Sequence, residues 1–179
     1  RRISIESVSK VWNACGLRIG ALVTDNKIMY QKVRSEYTAN LCANVIGQYV
    51  FGAVAQMSAV DIIDWYSRQR AYYSKTIIRL IKELKEELPG IILSSPGAAI
   101  YIVLDFKNIT PSDFNASKFI EFCSSNGKIR INSKFYTLLL SPMEGFYNQK
   151  LKGEKQARIA LVEQESKIRM VPKILSRLL

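Results

Sequence analysis

Ile3 and Ile5 alternate with polar residues from Arg2 to Glu6, the period of a β-strand with one apolar face. A loop around Asn13 to Gly16 separates this run from a second strand-length apolar stretch, Arg18 to Thr24. The period then lengthens. Lys27 to Glu36 and Asn44 to Met57 carry apolar residues three and four apart, which predicts helices, and Ser58-Ala-Val-Asp61 is a capping pattern that opens a further one. That helix should run to Leu88, where Pro89-Gly90 stops it. Its length of about 28 residues at about 1.5 Å each suits a strut between two lobes.

Beyond the strut the pattern predicts short strands and helices. Ile91 to Leu93 and Ala99 to Phe106 read as strands around a Pro96-Gly97 turn, Ala116 to Ser125 as a helix closed by Gly127, and the segments near Ile129 and Tyr136 to Leu140 as strands. A loop from Ser141 to Lys155 leads to a strand over Ala157 to Val162, and a basic helix follows in which Pro172 demands a kink or a late start. This is an α/β lobe.

Composition narrows the chemistry. The 179 residues hold no histidine, which removes serine-histidine triads, cysteine-histidine dyads and histidine metal sites. Lysine and arginine are left to carry most of the chemistry. They outnumber Asp and Glu by 26 to 15, but the charge is dispersed and no nucleic-acid module is recognisable, so the expectation is a solvated basic surface and no nucleic-acid partner. Cys15, Cys42 and Cys123 are odd in number, lack C-x-x-C spacing and lie among apolar neighbours, so neither a disulfide framework nor a zinc site is expected, and a reducing compartment is the default. The uncharged stretch from Tyr37 to Val60 carries Thr38, Asn40, Asn44, Gln48, Gln56 and Ser58, too polar a set for lipid. It predicts a buried helix of a soluble protein, with no membrane partner. No signal peptide is visible. A chain that opens in mid-strand without an initiator methionine predicts the C-terminal part of a longer polypeptide.

One junction concentrates candidate chemistry. Ser7-Val-Ser9-Lys10 followed by Gly16-Leu-Arg18-Ile-Gly20 puts hydroxyls, a lysine, an arginine and glycines between the first two strands. Lysine can condense with an aldehyde if burial or a neighbouring cation such as Arg18 lowers its pKa from about 10.4. Arginine keeps its charge and its planar fork matches a phosphate. Serine hydroxyls add donors, and glycine lets the backbone approach closely. The set suits an anionic cofactor.

S-x-S-K, five residues, then G-x-R-x-G resembles the cofactor-lysine signature of fold type I pyridoxal-phosphate enzymes, the class I and II aminotransferases, and Glu6 to Lys10 with Ala14 to Gly20 resembles their aspartate aminotransferase-like branch. The resemblance continues in order through Gln48, Ser95-Pro-Gly-Ala98 with Tyr101, the loop Ser141 to Tyr147, and Ala157-Arg-Ile-Ala160. It implies an α/β fold in which residues 1–60 end a large cofactor-binding domain with a mostly parallel sheet, and residues 61–179 form the interdomain helix and a small C-terminal domain. It implies pyridoxal 5'-phosphate as cofactor, an amino acid and a 2-oxo acid as substrates, no metal, a cytoplasmic protein, and a homodimer when full-length. By the same resemblance Lys10 is the Schiff-base lysine and proton shuttle, Ser7 and Arg18 hold the cofactor phosphate, Ser9 is a weaker candidate for it, and Arg158 grips the substrate α-carboxylate.

The family's glycine-rich loop, ring-stacking aromatic and pyridine-binding aspartate precede the lysine, so these 179 residues alone should be inactive. The stretch Arg34 to Asn44 lacks the proline- and serine-rich turn of the aspartate-like branch, which leaves selectivity for aspartate open; Asn40 and Asn44 read as helix-start or packing residues, and Trp65, Tyr66, Tyr72 and Tyr73 as packing on the long helix. The same fold also carries decarboxylase, lyase and synthase reactions. A non-catalytic basic module that binds nucleic acid is the competing class.

Overall fold

The computed structural model describes residues 2–40, 43–149 and 151–179, so Cys42 and what was expected of it lie outside the described residues. The chain divides into two compact units, Arg1–Trp65 and Tyr66–Leu179.

In the first unit the opening alternation forms strand β1, Ile3–Ser7, which ends where Ser7 caps the short helix α1, Val8–Val11. A 3-10 turn, Cys15–Leu17, then returns the chain to strand β2, Gly20–Thr24. Arg18 supports the reversal in a left-handed conformation, φ 54°. The strands pair antiparallel from Ile3 opposite Thr24 to Ser7 opposite Gly20. Gly20 is needed there, because a Cβ would stand 2.6 Å from the Glu6 carbonyl oxygen. The mixed α/β class is as expected, and all pairings among the described strands are antiparallel. For β1 and β2 the physical reason is the connection, since a short helix and a turn reverse the chain within twelve residues, whereas a parallel crossover needs an intervening element that spans the strand length.

Helix α2, Lys27–Ala39, starts at Asn26, whose side chain accepts from the Ile28 and Met29 amides at 3.0 and 3.2 Å. Asn40 closes it, donating to the Glu36 carbonyl at 3.0 Å. Helix α3, Val45–Gly52, is capped by Asn44 and runs into a 3-10 turn, Ala53–Gln56. The helix expected over Asn44 to Met57 is thus present, and what is not seen within these 179 residues is its burial. The stretch from Tyr37 to Val60 is broken by these caps, and its apolar side chains face outward, with Ile46 76% and Tyr49 86% exposed. A two-stranded sheet whose own residues are almost all exposed offers this helix no face to bury against.

Helix α4, Ala59–Glu87, confirms the long helix and its start: the Ser58 hydroxyl accepts from the Asp61 amide at 3.2 Å and donates to the Asp61 carboxylate at 2.7 Å. It ends before Pro89-Gly90, and Gly90 takes φ 95°. Tyr66–Leu179 holds the main hydrophobic core. Strands β3 (Ile92–Leu93), β4 (Tyr101–Asp105), β7 (Ser141–Pro142) and β8 (Gln156–Ala160) form one sheet in the order β3-β4-β8-β7. Ile102, Leu104, Ala157 and Ile159 point from one face into a cluster with Leu80 and Leu84 of α4, Phe119 and Cys123 of α5 (Ala116–Ser125), and Ile174 and Leu175 of the last helix. Strands β5 (Ile129–Ile131) and β6 (Lys134–Tyr136) make a hairpin turned by Asn132 and Ser133, both with positive φ.

The expected strand from Tyr136 to Leu140 thus lies earlier, because the positive-φ pair fixes the turn and the turn fixes the register. After β8 come α6, Glu165–Ile168, and α7, Val171–Leu178, which takes Pro172 into its first turn, so the proline marks a late start. Among the described residues no single helix is long and apolar enough to cross a membrane.

Candidate functional site

The hydroxyl, lysine and arginine candidates of the first unit flank one junction, between β1 and β2. The Ser7 hydroxyl accepts from the Ser9 amide at 3.2 Å, which caps α1 and leaves its own proton able to donate. Lys10 sits in the last turn of that helix, on its exposed side. The Val8 amide donates to the Ile19 carbonyl at 3.3 Å, and the Ala14 amide to the Val8 carbonyl, also at 3.3 Å. These bonds hold the residue after Arg18 against the residue after Ser7. Arg18 spends one donor on the Cys15 carbonyl, Nη1 to oxygen at 3.0 Å. Gly47 lets α3 approach this turn, for a Cβ there would come within 2.5 Å of the Leu17 carbonyl oxygen. The Trp12 ring lies 5.6 Å from that of Trp65 in a stacked arrangement and 5.5 Å from Phe51 edge-on.

An ammonium, a guanidinium and hydroxyls along one strand-helix-turn junction are donors suited to a phosphate monoester, with an amine for an aldehyde. The donor set fits pyridoxal phosphate. Asn44, by contrast, is used structurally, accepting from the Gly47 amide at 3.2 Å and donating to the Leu17 carbonyl at 3.3 Å.

Arg158 lies in the second unit. Pairing of β8 with β4 and β7 sets it opposite Val103 on one side and Ser141 on the other. Alternation then decides its face: Ala157 and Ile159 go to the core, while Arg158 shares the opposite face with Tyr101, Val103, Asp105 and Gln156. Its guanidinium carbon is 4.5 Å from the centre of the Tyr101 ring and 4.9 Å from that of Phe146. Arg158 Nε is buried without a hydrogen-bond partner. None of the ion pairs among the described residues involves it. A guanidinium held by aromatic faces keeps its full charge and an unused donor, which is the chemistry of a carboxylate receptor.

The loop beside it is fixed by a relay that the sequence pattern does not single out. Tyr147 donates through its hydroxyl to Gln156 Oε1 at 2.6 Å, and Gln156 Nε2 donates to Asp105 Oδ2 at 2.8 Å. Gly153, φ 82°, leaves room for the Tyr147 ring, since a Cβ would stand 2.5 Å from it. Phe146 precedes Tyr147 in a 3-10 turn, Glu144–Phe146. The sequence signal is the string Ser141 to Tyr147, which resembles the family without showing which ring meets Arg158.

Cys15 is exposed and Cys123 buried, both free, and burial pushes the Cys123 thiol pKa up, which suits an inert core residue. Among the described residues no cluster of acids and cysteines could hold a metal ion.

The family model for aminotransferases of class I and II matches residues 2–166. No curated protein matches the sequence. Several solved structures share the fold. An α-aminoadipate aminotransferase from Thermus thermophilus, complexed with N-(5'-phosphopyridoxyl)-L-leucine, superposes with TM-score 0.75 at 17% identity, over 98% of this chain and 41% of its own. An aminotransferase from Staphylococcus aureus gives 0.69 at 23% identity, over 98% and 41%. An N-succinyldiaminopimelate aminotransferase from Mycobacterium tuberculosis gives 0.73 at 17%, over 99% and 42%. The chain thus spans about two fifths of the length of the structures it resembles.

Proposed function

Because the chain belongs to the class I and II aminotransferase family, we propose that it supplies the cofactor lysine and the carboxylate-binding arginine of a pyridoxal-phosphate-dependent aminotransferase. The observation that carries this reading is Arg158, a cation with a buried, unpartnered Nε and aromatic faces in place of a counter-ion. An amino acid and a 2-oxo acid both present an α-carboxylate to such a receptor, so one arginine serves both halves of a transamination. Aspartate is one candidate donor, and no side chain described at Arg34 to Asn44 adds a further carboxylate receptor beyond Arg34 itself.

Pyridoxal phosphate, when bound, supplies an electron sink for the bond broken at the α-carbon. The rest falls to the protein. The Lys10 amine would hold the cofactor aldehyde and, when free, would take the proton from the α-carbon and return it to the cofactor carbon. Arg18 and the Ser7 hydroxyl would neutralise and orient the phosphate, with Ser9 a lesser contributor whose amide already serves the Ser7 cap. Arg158 binds the carboxylate through parallel N–H donors, which fixes the α-carbon's orientation and lowers the entropic barrier of the proton step.

In domain terms residues 1–60 belong to the cofactor-binding domain and residues 61–179 to the interdomain helix and small domain. The working protein is a cytoplasmic homodimer that contains this chain together with the ring-binding residues. The 179 residues alone should not turn over. The test is transamination of a panel of amino acids by the complete protein and by this chain, each with pyridoxal phosphate added: turnover by the complete protein alone supports the reading, and turnover by the chain alone, or by neither, contradicts it.

A further inference from the structure

An arginine that must receive a carboxylate faces a conflict. Something has to hold the guanidinium in place, yet a carboxylate partner within the protein would compete with the substrate for the same donors. At Arg158 the conflict is resolved by rings. Phe146 lies 4.9 Å and Tyr101 4.5 Å from the guanidinium carbon, both within the range of a cation–π contact. A ring attracts the cation through its face and takes none of its N–H donors, so position is gained while the fork stays available. Tyr101 is part of β4 and its place follows from the strand register. Phe146 is different: it is 59% exposed, belongs to no strand, and reaches Arg158 only because the loop that bears it is tied down.

The tie is specific. Asp105 accepts from Gln156, Gln156 accepts from the Tyr147 hydroxyl, and the Met143 amide donates to the Gln156 carbonyl at 3.0 Å. Phe146 itself donates from its amide to the Met143 carbonyl at 2.9 Å. Gln156 is thus bonded through backbone and side chain to both ends of the turn, two residues before Arg158 on the same strand face. An exposed phenylalanine anchored in this way over a cation is not explained by core packing.

We infer that Phe146 is a positioning residue for the substrate carboxylate: its ring holds the Arg158 guanidinium in the orientation that offers the fork, without neutralising it. This rests on the reading of Arg158 as the carboxylate receptor. Replacing the ring by an aliphatic side chain keeps the apolar cover and removes the cation–π attraction; substituting tyrosine keeps the attraction.

The test uses the complete enzyme with its cofactor and its fastest amino-acid substrate. Phe146→Leu should raise KM by about 3- to 10-fold with kcat within about twofold and cofactor affinity unchanged, and Phe146→Tyr should restore KM. Arg158→Leu is measured beside them. If Arg158→Leu raises KM and Phe146→Leu does not, the inference on Phe146 fails while the reading of Arg158 stands. If Phe146→Leu instead lowers kcat and cofactor affinity together, or Phe146→Tyr behaves like Phe146→Leu, the role is structural and the inference fails. If Arg158→Leu leaves KM unchanged, both fall together.

Discussion

A guanidinium drawn out of water without a counter-ion is costly unless something attracts it, and at Arg158 the attraction comes from Tyr101 and Phe146. The remaining deficit, an Nε with no acceptor, is what a bound carboxylate would remove. Truncating one partner of a buried charge pair costs about 2–5 kcal/mol. Arg158→Leu in the complete enzyme is therefore expected to lower kcat/KM for amino acids by about 30-fold or more, chiefly through KM, while amines that lack the carboxylate are affected far less. Steady-state kinetics on an amino acid and its decarboxylated amine checks this, and equal losses on both would make Arg158 structural. Lys10 and Arg18 show the opposite character. Both lie at a small, open junction, where chemistry depends on what binds there rather than on the isolation of a charge.

Among the elements, α4 and α6 are tied by charge as well as by core. Arg79 of α4 pairs with Glu165 at the start of α6, and Arg169 bonds the same carboxylate at 2.8 Å. These guanidinium hydrogen bonds, Arg169 first and Arg79 second, hold the Glu165 carboxyl below its usual pKa. The sign follows from linkage: a lowered folded pKa contributes stability in full above the ordinary glutamate value of about 4.3, lost as pH falls through the lowered one. Thermal unfolding of the chain should therefore show a loss of stability on acidification below about pH 5 that the Glu165→Gln variant partly lacks, with the difference between the two proteins constant above that pH. Equal acid dependence in both proteins would remove Glu165 from the account. Local chemistry made many elements legible in advance, because capping is read from neighbours in sequence: Ser58 with Asp61 opened α4, and Pro89-Gly90 closed it. Strand orientation was not legible, since alternation at Ile3 and Ile5 is the same in a parallel or an antiparallel pair, and the reversal depends on Arg18 adopting positive φ. The β5–β6 register was missed for a similar reason, the turn being carried by Asn132 and Ser133 without a glycine.

Across the whole molecule, the family that matches residues 2–166 was legible through strings that resemble its signature, Ser7 to Lys10 with Gly16 to Gly20, then Ala157 to Ala160 far along the chain. The surroundings of Arg158 were not, because Phe146 meets it through a loop held by Gln156 and Asp105, a contact set by sheet register and not by any local string. Within this chain Ile46 and Tyr49 face outward, while the main apolar cluster gathers in Tyr66–Leu179. The central claim is that this chain carries the lysine that holds the cofactor. Borohydride reduction of the complete holoenzyme, followed by peptide mapping by mass, tests it most directly. The account predicts the added cofactor mass on the peptide that contains Lys10; the mass on any other lysine, with Lys10 unmodified, would contradict it.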